Sequence, residues 1–286
     1  MKKHRLAALI GAAALFLSAL SGCGQPSSGL PPESSPAQGD APQVTDMGGD
    51  LLAKIRAKGE IVVALEGTWA PWGYHDESGA LVGYDVEVAQ AVAAKLGVEP
   101  AFVEGEWSAL LAGLEAGRYD IMVNGVEIDD GRREKYDFSV PYAYNRTAVI
   151  VRADDDSIRS MEDLEGKNTA NTLSSTYAIL AESYGAAVTP VDDFIQTIEL
   201  LTSGRIDATL NADVSYYDYL AQHPDAPIKI ACFDPAATQV AIPMFKGEDN
   251  DALRSAINQA LAELAQDGTL TELSMKYFGR DISKAP

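Results

Sequence analysis

The segment Glu66-Gly67-Thr68-Trp69-Ala70-Pro71-Trp72-Gly73-Tyr74 brings a carboxylate and three large aromatic rings into nine residues. Two indoles on a turn punctuated by Gly and Pro are costly to leave in water, so both belong to a core or one walls a binding site. In the second reading Trp69 is the wall and Trp72 lies beneath it. Other residue types argue against turnover chemistry. Of three histidines, His4 lies in an N-terminal leader, and His75 and His223 sit in turns rich in Gly, Asp and Pro. No Cys/His set has metal-ligand spacing, and neither a nucleophile elbow nor a phosphate loop occurs. No metal or cofactor and no catalytic residue are expected. The chemistry on offer is recognition of a small solute.

Those residues need a frame, and the frame repeats. Leu114-Glu115-Ala116-Gly117-Arg118-Tyr119-Asp120-Ile121-Met122-Val123-Asn124 and Leu201-Thr202-Ser203-Gly204-Arg205-Ile206-Asp207-Ala208-Thr209-Leu210-Asn211 both read L-x-x-G-R-x-D-x-x-x-N. Apolar residues at three-to-four spacing precede each: Trp107, Leu110, Leu111 and Leu114, then Ile195, Ile198 and Leu201. That spacing predicts a helix. The glycine suits the left-handed residue that closes a helix, and a short apolar strand follows. Elsewhere the pattern predicts strands over 60–65, 101–103, 169–171 and 187–189. It predicts helices over 84–96, from near Ser174, from Asp192, and over 249–266 with Asp249 as N-cap. Such alternation implies parallel sheets covered by helices on both faces, and two copies of one unit imply two lobes with a cleft between. Ligands of these sheets collect at the carboxyl ends of the strands, where Asn124, its neighbour Gly125, and Asn211 fall.

The N-terminus predicts export. Lys2, Lys3 and Arg5 precede an apolar run over 6–20, too short for a comfortable membrane span, and the run stops at Leu20-Ser21-Gly22-Cys23. Small residues ahead of a cysteine resemble a bacterial lipobox, which makes 1–22 a signal peptide and Cys23 the lipidated first residue. Residues 23–48 are rich in Ser, Pro and Gly and read as a flexible leash. The formal charge is −20, and removal of 1–22 with its three cations would take it to −23. That excludes nucleic acid and an anionic membrane surface as partners. With Cys23 lipidated, Cys232 stands alone and reads as a small buried apolar residue.

In order along the chain come Gly83-Tyr84-Asp85-Val86-Glu87, Gly117-Arg118-Tyr119-Asp120, Arg132 to Phe138 with Ser139-Val140-Pro141-Tyr142, and Asp163-Leu164-Glu165-Gly166-Lys167. Together they resemble the family 3 extracellular solute-binding proteins, the polar-amino-acid receptors of ABC importers, over 51–279. The turns and the Trp107 region look most like the cystine- and cysteine-binding members. The resemblance implies a periplasmic-binding-protein fold of type II: two α/β lobes joined by two crossing strands, with a ligand cleft between them. The division it implies is 49–146 with 240–286 for lobe 1 and 147–239 for lobe 2, crossing at 144–152 and 238–243. A monomeric, lipid-anchored receptor on the extracellular or periplasmic side would hand an amino acid to a membrane permease. Carried over position by position, Arg132 grips the ligand carboxylate, with Arg133 left to solvent. Ser175 and Thr176 donate from a helix start, Trp69 is the platform, Glu66 flanks it, and Trp107 is an apolar contact.

Two positions depart from that family. Glu127 stands where a small hydroxyl is usual, and Ala212 stands where an ammonium-binding Asp is usual, between Asn211 and Asp213. Either Glu127 supplies the missing ammonium partner, or Asp213 swings in, or Glu127 is a surface residue. An enzymatic alternative is a secreted dehydratase of a prephenate-like acid on the same fold, with Glu66 or Glu127 as proton donor.

Overall fold

The computed structural model describes residues 50–285; the signal peptide, Cys23 and the leash expected over 1–48 lie outside them. Helix α1 (Leu51–Lys58), capped by the Asp50 carboxylate, leads into β1 (Glu60–Leu65). After β1 come three short antiparallel strands, β2 (Thr68–Trp69), β3 (Gly73–His75) and β4 (Leu81–Val82). Then follow α2 (Tyr84–Leu96), β5 (Glu99–Glu104), α3 (Trp107–Glu115), β6 (Ile121–Met122), α4 (Asp130–Lys135) and β7 (Tyr136–Phe138). Strands β5, β1 and β6 pair in that order, all parallel, as their connecting helices require.

The second lobe holds β8 (Ala143–Arg152), β9 (Asn168–Thr172), α5 (Thr176–Ser183), β10 (Ala187–Val191), α6 (Phe194–Thr202), β11 (Ala208–Ala212), α7 (Asp213–Gln222) and β12 (Ile228–Val240). Its sheet runs β10-β9-β11-β8-β12. Parallel pairing holds for β9, β10 and β11, but β8 is antiparallel to both β11 and β12, so this sheet is mixed rather than parallel. The reason is the connection. Strand β8 leaves the first lobe and β12 returns to it, and a chain that goes out and comes back lies antiparallel. Their pairing continues to the crossing itself, Ala143 opposite Val240, with irregular register between Phe233 and Ala237. Beyond it, β13 (Pro243–Phe245) pairs with β7, and α8 (Asp251–Gln266) and α9 (Thr269–Phe278) pack on α2. The last helices therefore belong to the first lobe. Leu253, Ile257, Leu261 and Leu264 form the buried stripe of α8, while the residue before that helix is Asn250 rather than Asp249.

The repeated motif folds the same way twice, and the structure shows why its residues recur. Gly117 and Gly204 take φ of 65° and 72°, which a side chain would strain. The following N–H, of Arg118 or Arg205, turns back to the carbonyl of Gly113 or Leu200. Each aspartate then clamps the neighbouring strand at two points. The Asp120 carboxylate accepts from the Val62 N–H at 2.7 Å, and its own N–H donates to the Val62 carbonyl at 3.0 Å. Asp207 repeats this on Asn168, at 2.8 Å and 2.8 Å. The stripe of α6 differs from expectation: Phe194, four before Ile198, lies on the buried face and Ile195 is 45% exposed, and the helix is capped by Asp193 rather than opened by Asp192. Asp207→Ala should cost about 1–2 kcal/mol, the range for a charge-assisted bond to backbone at a half-exposed site. Urea unfolding should register that loss without any change in the residues around the cleft.

Candidate ligand-binding site

A cavity of about 550 Å³, counting its open mouth, lies between the two lobes. From the first lobe Glu66, Trp69, Trp107, Gly125 and Arg132 line it, and from the second Ser175, Thr176 and Asn211. Eight of the ten residues expected to meet a ligand are thus brought to one place from six separate stretches of chain.

Arg132 sits on the short helix α4, whose start is fixed by the Asp129 carboxylate accepting from the Arg132 N–H at 2.9 Å. Its side chain is 8% exposed. The guanidinium lies 5.0 Å over the Trp107 ring, its Nε is 3.1 Å from the Asp129 carboxylate, and Nη1 donates to the Glu127 carbonyl at 2.8 Å. Nη2 reaches across the cleft to the Ser174 carbonyl at 3.3 Å. Burial lowers the Arg132 pKa, and Asp129 and Glu127 work against that. Arg133 faces solvent. Across the gap, Ser174 holds φ of 62°, a conformation that a non-glycine residue adopts only when its surroundings impose it. It presents Ser175 as the N-cap of α5, with the Ser175 hydroxyl accepting from the Ala178 N–H.

Trp69 stacks on Trp72 with centroids 5.4 Å apart and planes 24° from parallel. Trp72 is fully buried against Tyr84 and Phe278, so the two tryptophans divide as expected into wall and underlayer. Gly125 permits this: it takes φ of 55°, and a Cβ there would stand 2.6 Å from the Trp69 ring.

Glu66 is held by Asn124, whose side-chain carbonyl accepts from the Glu66 N–H at 2.7 Å and whose amide donates to the Glu66 carboxylate at 2.8 Å. The motif's first asparagine therefore positions Glu66, while its counterpart Asn211 lines the cavity directly. Glu127 and Asp213 do not line it. The Glu127 carboxylate is 2% exposed and accepts from Thr176, Thr238, Asn145 and Tyr177. Asp213, 1% exposed at the start of α7, is paired with Arg280 of the C-terminal tail. The geometry thus places both carboxylates on protein partners. Sequence reasoning missed Asn171, Tyr177, Asp193 and Phe194, which also line the cavity. Asp193 carried a signal, since an aspartate opening the second repeat's helix sits on the same end of its sheet as Asn211. Cys232 is half-buried on β12, and burial pushes its thiol up to about 11.

The bacterial extracellular solute-binding proteins, family 3, match residues 61–280. The chain belongs to that family. It is 39% identical over 236–239 residues to relatives that include the L-cystine-binding protein TcyA of Bacillus subtilis, where the match covers 82% of this chain and 87% of that one. Among solved structures, an ancestral arginine-binding protein bound to arginine superposes with a TM-score of 0.72 at 35% identity, over 77% of this chain and 99% of that one. The L-cystine solute receptor of Neisseria gonorrhoeae in its unliganded open conformation gives 0.58 at 40% identity, over 83% and 100%. Shape follows the liganded neighbour although identity favours the open one. The bonds from Arg132 to Ser174 and from Thr176 to Glu127 agree: this family member is seen with its lobes together.

Two carboxyls lie in an apolar setting, Glu66 at the cavity wall and Asp85 in the first-lobe core. Burial pushes Glu66 up to about 7 against the bond from Asn124, and pushes Asp85 up to about 7 against the Tyr142 hydroxyl, which donates at 2.7 Å. Both hold protons in the folded chain at a pH where the unfolded chain has released them, so stability is greatest below about pH 4 on their account and falls as pH rises to about 7. Asp281, held down to about 2, acts oppositely and only below about pH 4. The melting temperature without ligand should therefore decline between pH 4.5 and 7.5. Glu66→Gln and Asp85→Asn should each flatten that limb, by roughly 2–4 kcal/mol at most.

Proposed function

We propose that this chain is the solute receptor of an ABC importer, which captures a polar α-amino acid by lobe closure and delivers it to the permease. The observation that carries this is Arg132: a buried guanidinium at the cavity wall, facing the first turn of α5. A carboxylate between them would take fork-like bonds from Arg132 and further bonds from the Ser175 hydroxyl and the free N–H of Thr176. Trp69 and Trp107 supply apolar walls. Glu66 and Asp193 are the carboxylates on the cavity surface, and they are the groups to receive ammonium. Cystine suits this set, with two ammonium groups for two carboxylates and a polarisable disulfide for the indoles. The cystine receptors among its relatives support the same choice. In this reading a lipidated Cys23 tethers a monomer to the outer side of the membrane and 23–48 spaces it away.

One observation speaks for a second reading. Glu66 holds a proton near neutrality in the cavity wall, as a dehydratase of a prephenate-like acid would need. Incubation with prephenate separates the two, because phenylpyruvate would accumulate only in the second.

A thermal-shift screen of amino acids, followed by calorimetry, tests the receptor reading, with L-cystine expected among the stabilising ligands. Arg132→Ala should then weaken binding by about 2–5 kcal/mol, or roughly 30- to several-thousand-fold, while Arg133→Ala changes little. Small-angle scattering should show a more compact particle with the bound ligand; equal compactness with and without it would count against closure.

A further inference from the structure

The loop between β6 and α4 carries a carboxylate that the cavity does not use. Both oxygens of Glu127 are occupied. Oε2 accepts from the Thr176 hydroxyl at 2.5 Å, and Oε1 accepts from the Thr238 hydroxyl at 2.7 Å, the Asn145 amide at 3.3 Å and the Tyr177 hydroxyl at 3.4 Å. These donors come from three places: Thr176 and Tyr177 open α5 in the second lobe, Asn145 lies on the outgoing strand β8, and Thr238 lies on the returning strand β12. The Glu127 backbone is itself bridged to Val240 at the crossing, and its carbonyl accepts from Arg132 Nη1. Among the described residues no lysine or arginine side chain is paired with this carboxylate. It is a buried carboxyl group met by uncharged partners, and the shortest of its bonds spans the cleft.

That arrangement has a direction. Separation of the lobes carries Thr176 away with α5, whereas Asn145 and Thr238 sit at the crossing ends of β8 and β12, beside the Val240 to which the Glu127 backbone is bridged; Tyr177 is held to Asn145, whose amide donates to its hydroxyl at 3.1 Å. A buried carboxylate that loses its strongest donor must be rehydrated, so the bonding of Glu127 is complete only when the lobes meet. Thr176 also lines the cavity, and Arg132 leans on the Glu127 carbonyl. We propose that Glu127 is a positioning residue that latches the closed lobes, its carboxylate docking Thr176 and α5 onto the loop whose carbonyl orients Arg132. The inference rests on the reading of the molecule as a closing receptor, but not on any particular ligand. It replaces the expectation that Glu127 binds the ligand ammonium: its carboxylate does not line the cavity and is met instead by Thr176, Thr238, Asn145 and Tyr177.

The test uses no ligand. Dyes on Ala94→Cys and Glu182→Cys, exposed positions on the two lobes, in a Cys23→Ser, Cys232→Ser background, report closure by single-molecule energy transfer after copurified solute is stripped by unfolding and dialysis. The unsubstituted loop should show a closed population that falls about ten-fold in Glu127→Gln and in Thr176→Val, as expected for loss of a charge-assisted bond. The double variant should lose no more than either single one, because one bond is being removed. Melting curves identify a variant that fails to fold, and Thr176→Val carries the test if Glu127→Gln does. Equal closed fractions in all the proteins, including none in any, would overturn the latch. So would unchanged closure combined with a loss of L-cystine affinity in Glu127→Gln that its des-amino analogue does not share, since that pattern assigns Glu127 to the ligand.

Discussion

The buried guanidinium of Arg132 is the constraint around which this molecule is arranged. Taking such a cation out of water costs several kcal/mol unless acceptors surround it. The chain supplies them from short range and long: Asp129 and the Glu127 carbonyl from the same loop, the Trp107 face from α3, and the Ser174 carbonyl from the opposite lobe. Only the last depends on closure. Arg132 therefore keeps most of its support when the lobes part, and a carboxylate entering between the lobes meets a cation already aimed. Orientation before binding is what lets such a group contribute affinity without first being ordered.

The two crossing strands make that geometry movable without making it loose. Strands β8 and β12 pair from the second lobe's sheet down to Ala143 and Val240, and the connections beyond are hydrogen-bonded to each other, Ser139 to Ile242 and Tyr142 to Val240. The irregular register between Phe233 and Ala237 interrupts the ladder near the crossing, a place where small backbone adjustments are least opposed by paired bonds. Asp213 and Arg280 add a tie between α7 and the C-terminal tail, close to where the Tyr144 N–H meets the Ile282 carbonyl. Polar groups at this seam are thus shared between lobes, as are two on the cavity wall, Arg132 with Ser174 and Thr176 with Glu127, whereas Glu66 with Asn124 and Ser175 with Ala178 are held within their own lobe.

Much of this was legible in the chain. The L-x-x-G-R-x-D repeat specifies two helix–turn–strand units because each of its residues acts locally, through a left-handed glycine, a returning N–H, and an aspartate clamped on the neighbouring strand. Helix 84–96 and strand 60–65 follow from periodicity alone, and Trp69, Gly125 and Arg132 fall in the cavity where their motifs place them. Local rules suffice there because the partners are near in sequence or repeat with it. What only the tertiary structure decided is where the charges go. Glu127, Asp193 and Asp213 look alike as carboxylates beside expected ligand positions, yet one bonds across the lobes, one caps α6 at the cavity surface, and one meets Arg280, 67 residues away in sequence. A carboxylate takes whichever donors the fold brings within about 3 Å. The donors of Glu127 and Asp213 lie on elements that meet only in the assembled fold, whereas Asp193 takes the local N–H of Gln196.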